Sequence, residues 1–183
     1  MALKALIILH PGFEEMEAVA PIDLLSRAGV EITQAALEDE LLVSGRSGIS
    51  LRASISLDAL PSDAVFDAVI LPGGPGIQKI RNHRPVCQLL KRHHEAGKIL
   101  ACICAAPLLL LDAGIIEGLR YTAHPSASEE LDAMIDQPIV VDQNLITSRG
   151  AGTATEFALA IAEAMTGAES AQEIAESICW SHL

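Results

Sequence analysis

A chain of 183 residues, half of them hydrophobic, carries enough apolar material to bury a sizeable core without disulfide help. Its formal net charge of -12 repels phosphate backbones and anionic lipid heads alike, which sets nucleic acid and membrane surfaces aside as partners. Only 3% of residues are aromatic, so the core must be Ala, Leu, Ile and Val, the composition of helices laid on a buried parallel sheet.

No apolar run approaches the roughly 18 residues of a membrane span, and Ala5 to Leu9 is too short for a signal-peptide core. The four cysteines, Cys87, Cys102, Cys104 and Cys179, are irregularly spaced and do not read as a disulfide framework. Reduced thiols and a cytoplasmic location are expected. No repeat or Pro/Gly/Ser-rich linker interrupts the chain, which predicts one domain over residues 1–183.

Taken in order, Ala5 to Leu9 reads as a buried strand, and the turn at Pro11-Gly12 leads into a helix from about Glu14 to Ala28, closed by Gly29. Val30 to Ala36 reads as a second strand. Leu41 to Val43 and Ile49 to Leu51 flank Ser44-Gly45-Arg46-Ser47-Gly48 as in a hairpin. Phe66 to Leu71 is a strand that stops at the glycine loop Pro72-Gly73-Gly74-Pro75-Gly76. Arg84 to Ala96 reads as a polar-faced helix, with His93-His94 on a solvated face. Ile99 to Ile103 is a short buried strand, and Cys104 sits where it gives way to Ala105-Ala106-Pro107-Leu108, a helix start with proline in its first turn. Ile139 to Val141 and Leu145 to Thr147 pair around Asp142-Gln143-Asn144. Gly150-Ala151-Gly152-Thr153 opens a helix to about Met165, and a last helix spans Ala168 to Ser177. Strands and helices alternating at these lengths predict a doubly wound sheet with its ligand sites at the carboxyl ends of the strands.

The chemistry concentrates at Cys104. A thiol is a useful nucleophile only as the thiolate, and a helix start supplies unpaired N–H groups and partial positive charge that favour the anion. A strand-to-helix elbow also exposes a side chain that a plain strand would bury. This reading expects the Cys104 thiol to titrate well below the roughly 8.5 of a free cysteine, with the Ala105 N–H facing any oxyanion. The bland alternative makes Cys104 a small core hydrophobe. A metal site on Cys102 and Cys104 lacks the second pair that makes structural zinc persuasive, so no metal is expected. The loops at Gly73 to Gly76 and Gly150 to Thr153 also admit a phosphate-cradle reading, but neither fits a P-loop or dinucleotide pattern.

Five segments together, PGFEEMEAVAPIDLLSRAG, ILPGGPG, ACICAAP, AHPS and TSRGAGTATEFALAIAEAMTG, resemble the ThiJ/PfpI superfamily, in the branch of the parkinsonism-associated protein deglycase and its bacterial relatives. They run from Pro11 to Gly167 in the family's order. The resemblance implies a flavodoxin-like three-layer sandwich with a mostly parallel central sheet, a nucleophile elbow at Cys104 and a homodimer. It makes Glu17 the acid beside the thiol, Gly74 and Ala105 the backbone donors of an oxyanion site, and His124 a histidine near the cysteine. Arg27 and Arg46 match arginines that line an anion pocket at or near the dimer interface. Without the resemblance, Glu17 reads as an ordinary surface glutamate in the acidic run Glu14-Glu15-Met16-Glu17, and His124 as a solvated histidine before proline.

One departure stands out: Ala105 follows Cys104 where the protease-like branch carries histidine, so the adjacent base for peptide cleavage is missing. The expectation is therefore a cofactor-independent glyoxalase or deglycase acting on small 2-oxoaldehydes such as methylglyoxal, or on glycated amines and thiols. The alternative is an oxidative-stress sensor or holdase chaperone in which Cys104 is oxidised to the sulfinic acid.

Overall fold

The computed structural model describes residues 2–181. In chain order the elements are β1 (Lys4–Leu9), α1 (Glu15–Arg27), β2 (Glu31–Ala36), β3 (Leu42–Ser44), β4 (Ser50–Arg52), β5 (Ile55–Ser56) and β6 (Ala68–Leu71). They continue as α2 (Arg84–Glu95), β7 (Ile99–Ile103), α3 (Pro107–Asp112), β8 (Ile139–Asp142), β9 (Leu145–Ser148), α4 (Ala154–Thr166) and α5 (Ala168–Ser177). The boundaries expected from the sequence hold to within about two residues for most of the longer elements.

Seven strands form one sheet in the order β5-β2-β1-β6-β7-β9-β8, parallel throughout except for the antiparallel β8–β9 pair. β3 and β4 form a separate antiparallel hairpin. Strand alternation divides the core in two. Leu6 and Ile8 of β1 pack on one face with Leu89 and Leu90 of α2 and Leu108 to Leu110 of α3. Ala5, Ile7 and Leu9 pack on the other with Leu25 of α1, Phe157 and Ile161 of α4, and Ile174 of α5. Because both faces are covered, β1 and β6 are buried nearly end to end, and each aliphatic removed from water there contributes on the order of 1.5–3 kcal/mol. This is the α/β, flavodoxin-like arrangement, and the strand order reverses between β1 and β6, where such sheets open a crevice.

Local chemistry fixes the ends of α1. The Glu14 carboxylate accepts the Glu17 N–H at 2.9 Å as an N-cap, and Gly29, at φ 73°, takes the left-handed conformation past the last turn. Pro21 inside the helix is tolerated, though it leaves the Glu17 carbonyl without its usual donor.

The expected solvated face at His93 is corrected. The ring is buried, with Nε2 accepting the Phe66 N–H at 3.1 Å and Nδ1 set 2.8 Å from the Leu89 carbonyl. It thus serves a loop N–H that the sheet does not pair, and burial pushes its pKa down. Among the described residues no helix is long and apolar enough to cross a membrane.

Candidate active site

β7 delivers Cys104 to the carboxyl edge of the sheet. There its N–H donates to the Ser148 carbonyl at 2.9 Å, and its own carbonyl accepts the His124 N–H at 2.8 Å. Between those bonds the residue is forced to φ 63°, left-handed backbone that a β-substituted residue rarely adopts. The elbow turns the chain over. Cys102 belongs to the core beneath α2 and α3, whereas Cys104 packs toward α1 and α4. The pair therefore lies on opposite faces of the sheet and cannot clasp one ion. Burial alone drives the Cys102 thiol far up.

The glycine loop after β6 closes over the sulfur. Gly73 donates its N–H to Oε2 of Glu17 at 2.7 Å, and its carbonyl accepts the Glu14 N–H at 3.0 Å. The next N–H, of Gly74, and that of Ala105 both favour the Cys104 anion. Neither glycine tolerates a side chain. A β-carbon on Gly74 would stand 2.5 Å from the Gly12 carbonyl oxygen, and the residue sits at φ 103°. Gly76 N–H and Ile77 N–H are spent on the carbonyls of Gly12 and Gly74, so the loop's donors face inward and the phosphate-cradle reading has no support here.

Glu17 is fully buried, which overturns its reading as a surface glutamate. Among the described residues its Oε1 has no hydrogen-bond partner, and the Cys104 thiol interacts with the same carboxyl. Burial pushes the Glu17 carboxyl up to about 7, against the pull of the Gly73 N–H and the more distant Arg46 charge. Burial, and then the Glu17 carboxylate, push the Cys104 thiol up to about 12, against the Gly74 and Ala105 N–H groups. Burial and the neighbouring carboxylate therefore oppose the depression that the helix start alone predicts. The helix behind the elbow is only six residues long and begins at Pro107, and the acid alongside competes for the same charge. The two groups form a coupled pair, in which ionisation of one opposes ionisation of the other.

The DJ-1/PfpI family profile matches residues 3–164. The chain belongs to the DJ-1/PfpI family. It is 40% identical to Protein dj-1beta of Drosophila melanogaster over 97% of each chain. The crystal structure of Drosophila melanogaster DJ-1beta superposes with a TM-score of 0.92, covering 100% of both chains at 39% identity. An oxidized Toxoplasma gondii DJ-1 superposes at 0.93, with 32% identity over 99% of this chain and 100% of that one. The glutathione-independent glyoxalase DJR-1.2 of Caenorhabditis elegans is 32% identical over 96% of each chain.

In this DJ-1/PfpI chain the remaining expected residues divide. His124 is exposed, and its Nδ1 caps the turn at Pro125–Ala127 by accepting the Ser126 N–H at 3.1 Å. Its Cδ2 edge and Glu17 Oε1 both border Gly150. Arg46 is exposed in the turn between β3 and β4, tied by its N–H to the Phe13 carbonyl at 2.8 Å. Arg27 lies about 15 Å along α1 from Glu17 at 1.5 Å per residue, paired with Asp23 at 3.2 Å. Within one chain it does not reach the sulfur.

Sequence reasoning missed three residues that build the site. Gly73 holds Glu17, Glu14 caps α1, and buried Glu15 accepts the Ser47 N–H at 2.7 Å, anchoring the hairpin. The signal was present in the acidic run: three glutamates within four residues, set at the cap and first turn of a helix that needs N-terminal acceptors.

Proposed function

We propose that the chain is a cofactor-independent enzyme that uses Cys104 to convert small 2-oxoaldehydes, methylglyoxal among them, into 2-hydroxy acids, and that removes the same groups from glycated amines and thiols. The observation that carries this reading is the buried Glu17 carboxyl coupled to the Cys104 thiol, with two backbone N–H groups on the sulfur. Family membership, with a cysteine-dependent detoxification or redox role in general terms, supports it, and a relative named as a glutathione-independent glyoxalase narrows it.

The steps balance without a redox cofactor. The thiol proton passes to Glu17, and the thiolate adds to the aldehyde carbon. The oxyanion is held by the Gly74 and Ala105 N–H groups and takes the proton back from Glu17, giving a hemithioacetal. Glu17 carboxylate then removes the hydrogen on that carbon and delivers it to the neighbouring carbon through an enediol, leaving a thioester. Water hydrolyses the thioester, releasing the 2-hydroxy acid and the thiol. One carbon is oxidised as its neighbour is reduced, and one water is consumed. In this reading His124, exposed beside Gly150, exchanges protons with solvent. Ala105 supplies no imidazole beside the nucleophile, so peptide cleavage has no support.

The test is incubation of the purified protein with methylglyoxal alone, followed by a chiral lactate assay; absence of lactate with the thiol intact would overturn the reading. A second reading, a redox sensor or redox-regulated holdase, is favoured by one observation. A carboxyl near 7 is half protonated at neutral pH and able to donate a hydrogen bond to a Cys104 sulfinate. We further propose a homodimer through the exposed apolar face of Met16, Val19 and Ile49, beside the hairpin and Arg46. Sedimentation of Met16→Glu as a monomer, against a dimeric parent, would support it.

A further inference from the structure

We propose that His10 is a positioning residue for the Glu17–Cys104 pair, acting through a single peptide group of the glycine loop. The inference rests on the reading in which that pair works as a unit. His10 follows β1 directly, at the reversal of strand order, and is fully buried. Its Nε2 lies 3.2 Å from the Pro72 carbonyl oxygen, and its Nδ1 lies 3.4 Å from that of Pro11. The Pro72 carbonyl belongs to the same rigid peptide as the Gly73 N–H, and that N–H donates to Glu17 Oε2 at 2.7 Å. One peptide plane is thus gripped at both ends, by imidazole on the carbonyl and by carboxylate on the N–H.

The following peptide is gripped in the same way. Glu14 N–H holds the Gly73 carbonyl at 3.0 Å, while the Gly74 N–H of that peptide meets the sulfur. The two planes meet at the Gly73 α-carbon, and with the second held by Glu14 a tilt of the first is passed on to the Gly74 N–H. The ring also forms the floor of the loop, because a β-carbon on Gly76 would stand 2.5 Å from His10 Nδ1. Backbone carbonyls of Pro72, Pro11 and Gly73 are what face the ring, with no charged side chain shifting it, and burial holds it neutral. A neutral imidazole has one N–H. The shorter contact assigns it to Nε2, and donation there polarises the Pro72–Gly73 peptide so that its N–H binds the carboxylate more strongly.

Removal of the donor frees the Pro72–Gly73 peptide and, through it, the Gly74 N–H, so the sulfur loses a donor to its anion and the thiol ionises at higher pH. The experiment follows iodoacetamide alkylation of Cys104 against pH, read by mass spectrometry of the Cys104 peptide, in the parent, His10→Leu, His10→Asn and His10→Gln. Gln places its amide N–H where Nε2 stands, whereas Asn places its own nearer the Nδ1 position. The expected result is a midpoint raised in Leu and Asn, with alkylation near neutrality slowed about tenfold, the size of one lost hydrogen bond to a charged group, and recovery in Gln. If the Leu variant fails to fold, the Asn and Gln pair carries the comparison alone. Parental profiles in Leu and Asn would overturn the proposal, as would a Gln profile displaced as far as that of Asn. Alkylation does not depend on turnover, so a parent that makes no lactate but shows this pattern would sink the proposed enzyme and leave the His10 assignment standing.

Discussion

A β-carbon placed on Gly73 would stand 2.6 Å from the β-carbon of Cys104 and 2.9 Å from the Ala105 nitrogen. The glycine loop and the elbow are therefore in backbone contact, and the N–H groups that serve Glu17 and the sulfur are aimed by that contact. Gly73→Ala must push the two segments apart. It is expected to cost about 1–3 kcal/mol, the usual range for overpacking, seen as a lower urea midpoint with unchanged slope. The folded fraction should show little Cys104 alkylation at neutral pH.

Cys104→Ser is expected to abolish turnover of 2-oxoaldehydes, with Cys87→Ser and Cys179→Ser retaining it. Cys102→Ser places a hydroxyl in a fully buried strand position, so it should lose about 1–3 kcal/mol of stability yet keep activity per folded molecule. Lactate production normalised to folded protein separates the two effects; a dead Cys102→Ser that is fully folded would relocate the chemistry.

Glu17→Gln separates thiol reactivity from proton transfer. Alkylation of Cys104 should persist, while methylglyoxal conversion slows at least about a hundredfold, the lower end for losing a general acid/base. Normal turnover combined with a lost response to mild peroxide would instead favour the sensor.

The same variant carries a stability signature. The Glu17 carboxyl ionises at about 7 in the folded chain against 4.5 as the ordinary value. Between those pH values the unfolded state has released a proton that the folded state still holds. Folding stability therefore falls as pH rises from about 4.5 to about 7 and levels off above. Glu17→Gln removes that fall. Its stability relative to the parent should climb through this window by at most about 3 kcal/mol, and paired denaturation curves at acidic and alkaline pH measure it. A flat difference would mean that the carboxylate is better solvated than its burial implies.

His93→Ala should cost about 2–4 kcal/mol, combining a cavity with an orphaned Phe66 N–H, and leave the pH profile of Cys104 alkylation unmoved. Calorimetry alongside alkylation checks both halves. A shifted profile would extend the site across the sheet to α2.

The parallel sheet was legible because Ala5 to Leu9, Ala68 to Leu71 and Ile99 to Ile103 are short unbroken apolar runs, the first two closed by proline within two residues and the third opened just after Gly97. Glu17, from its residue type and spacing alone, was not. Its meaning depends on Gly73, which lies 56 positions further along, and nothing local announces a carboxyl that will be buried without an arginine. His93 misled for the mirror reason: on a charged helix its neighbours speak for solvent, while the N–H that claims it belongs to Phe66, 27 positions earlier. For the thiol, the helix start was weighed without the acid that the fold sets beside it, which pulls the other way.

The left-handed backbone at Cys104 sets folding and chemistry against each other at one position. Glycine adopts φ near 63° without steric cost, whereas any residue with a β-carbon is strained there by about 1 kcal/mol or more. Selection for foldedness alone would accordingly drift this codon toward glycine and yield a sturdier, inert chain. Stabilised variants recovered from an unselected library should be screened at this residue first, since thermal robustness and loss of the thiol would arrive together.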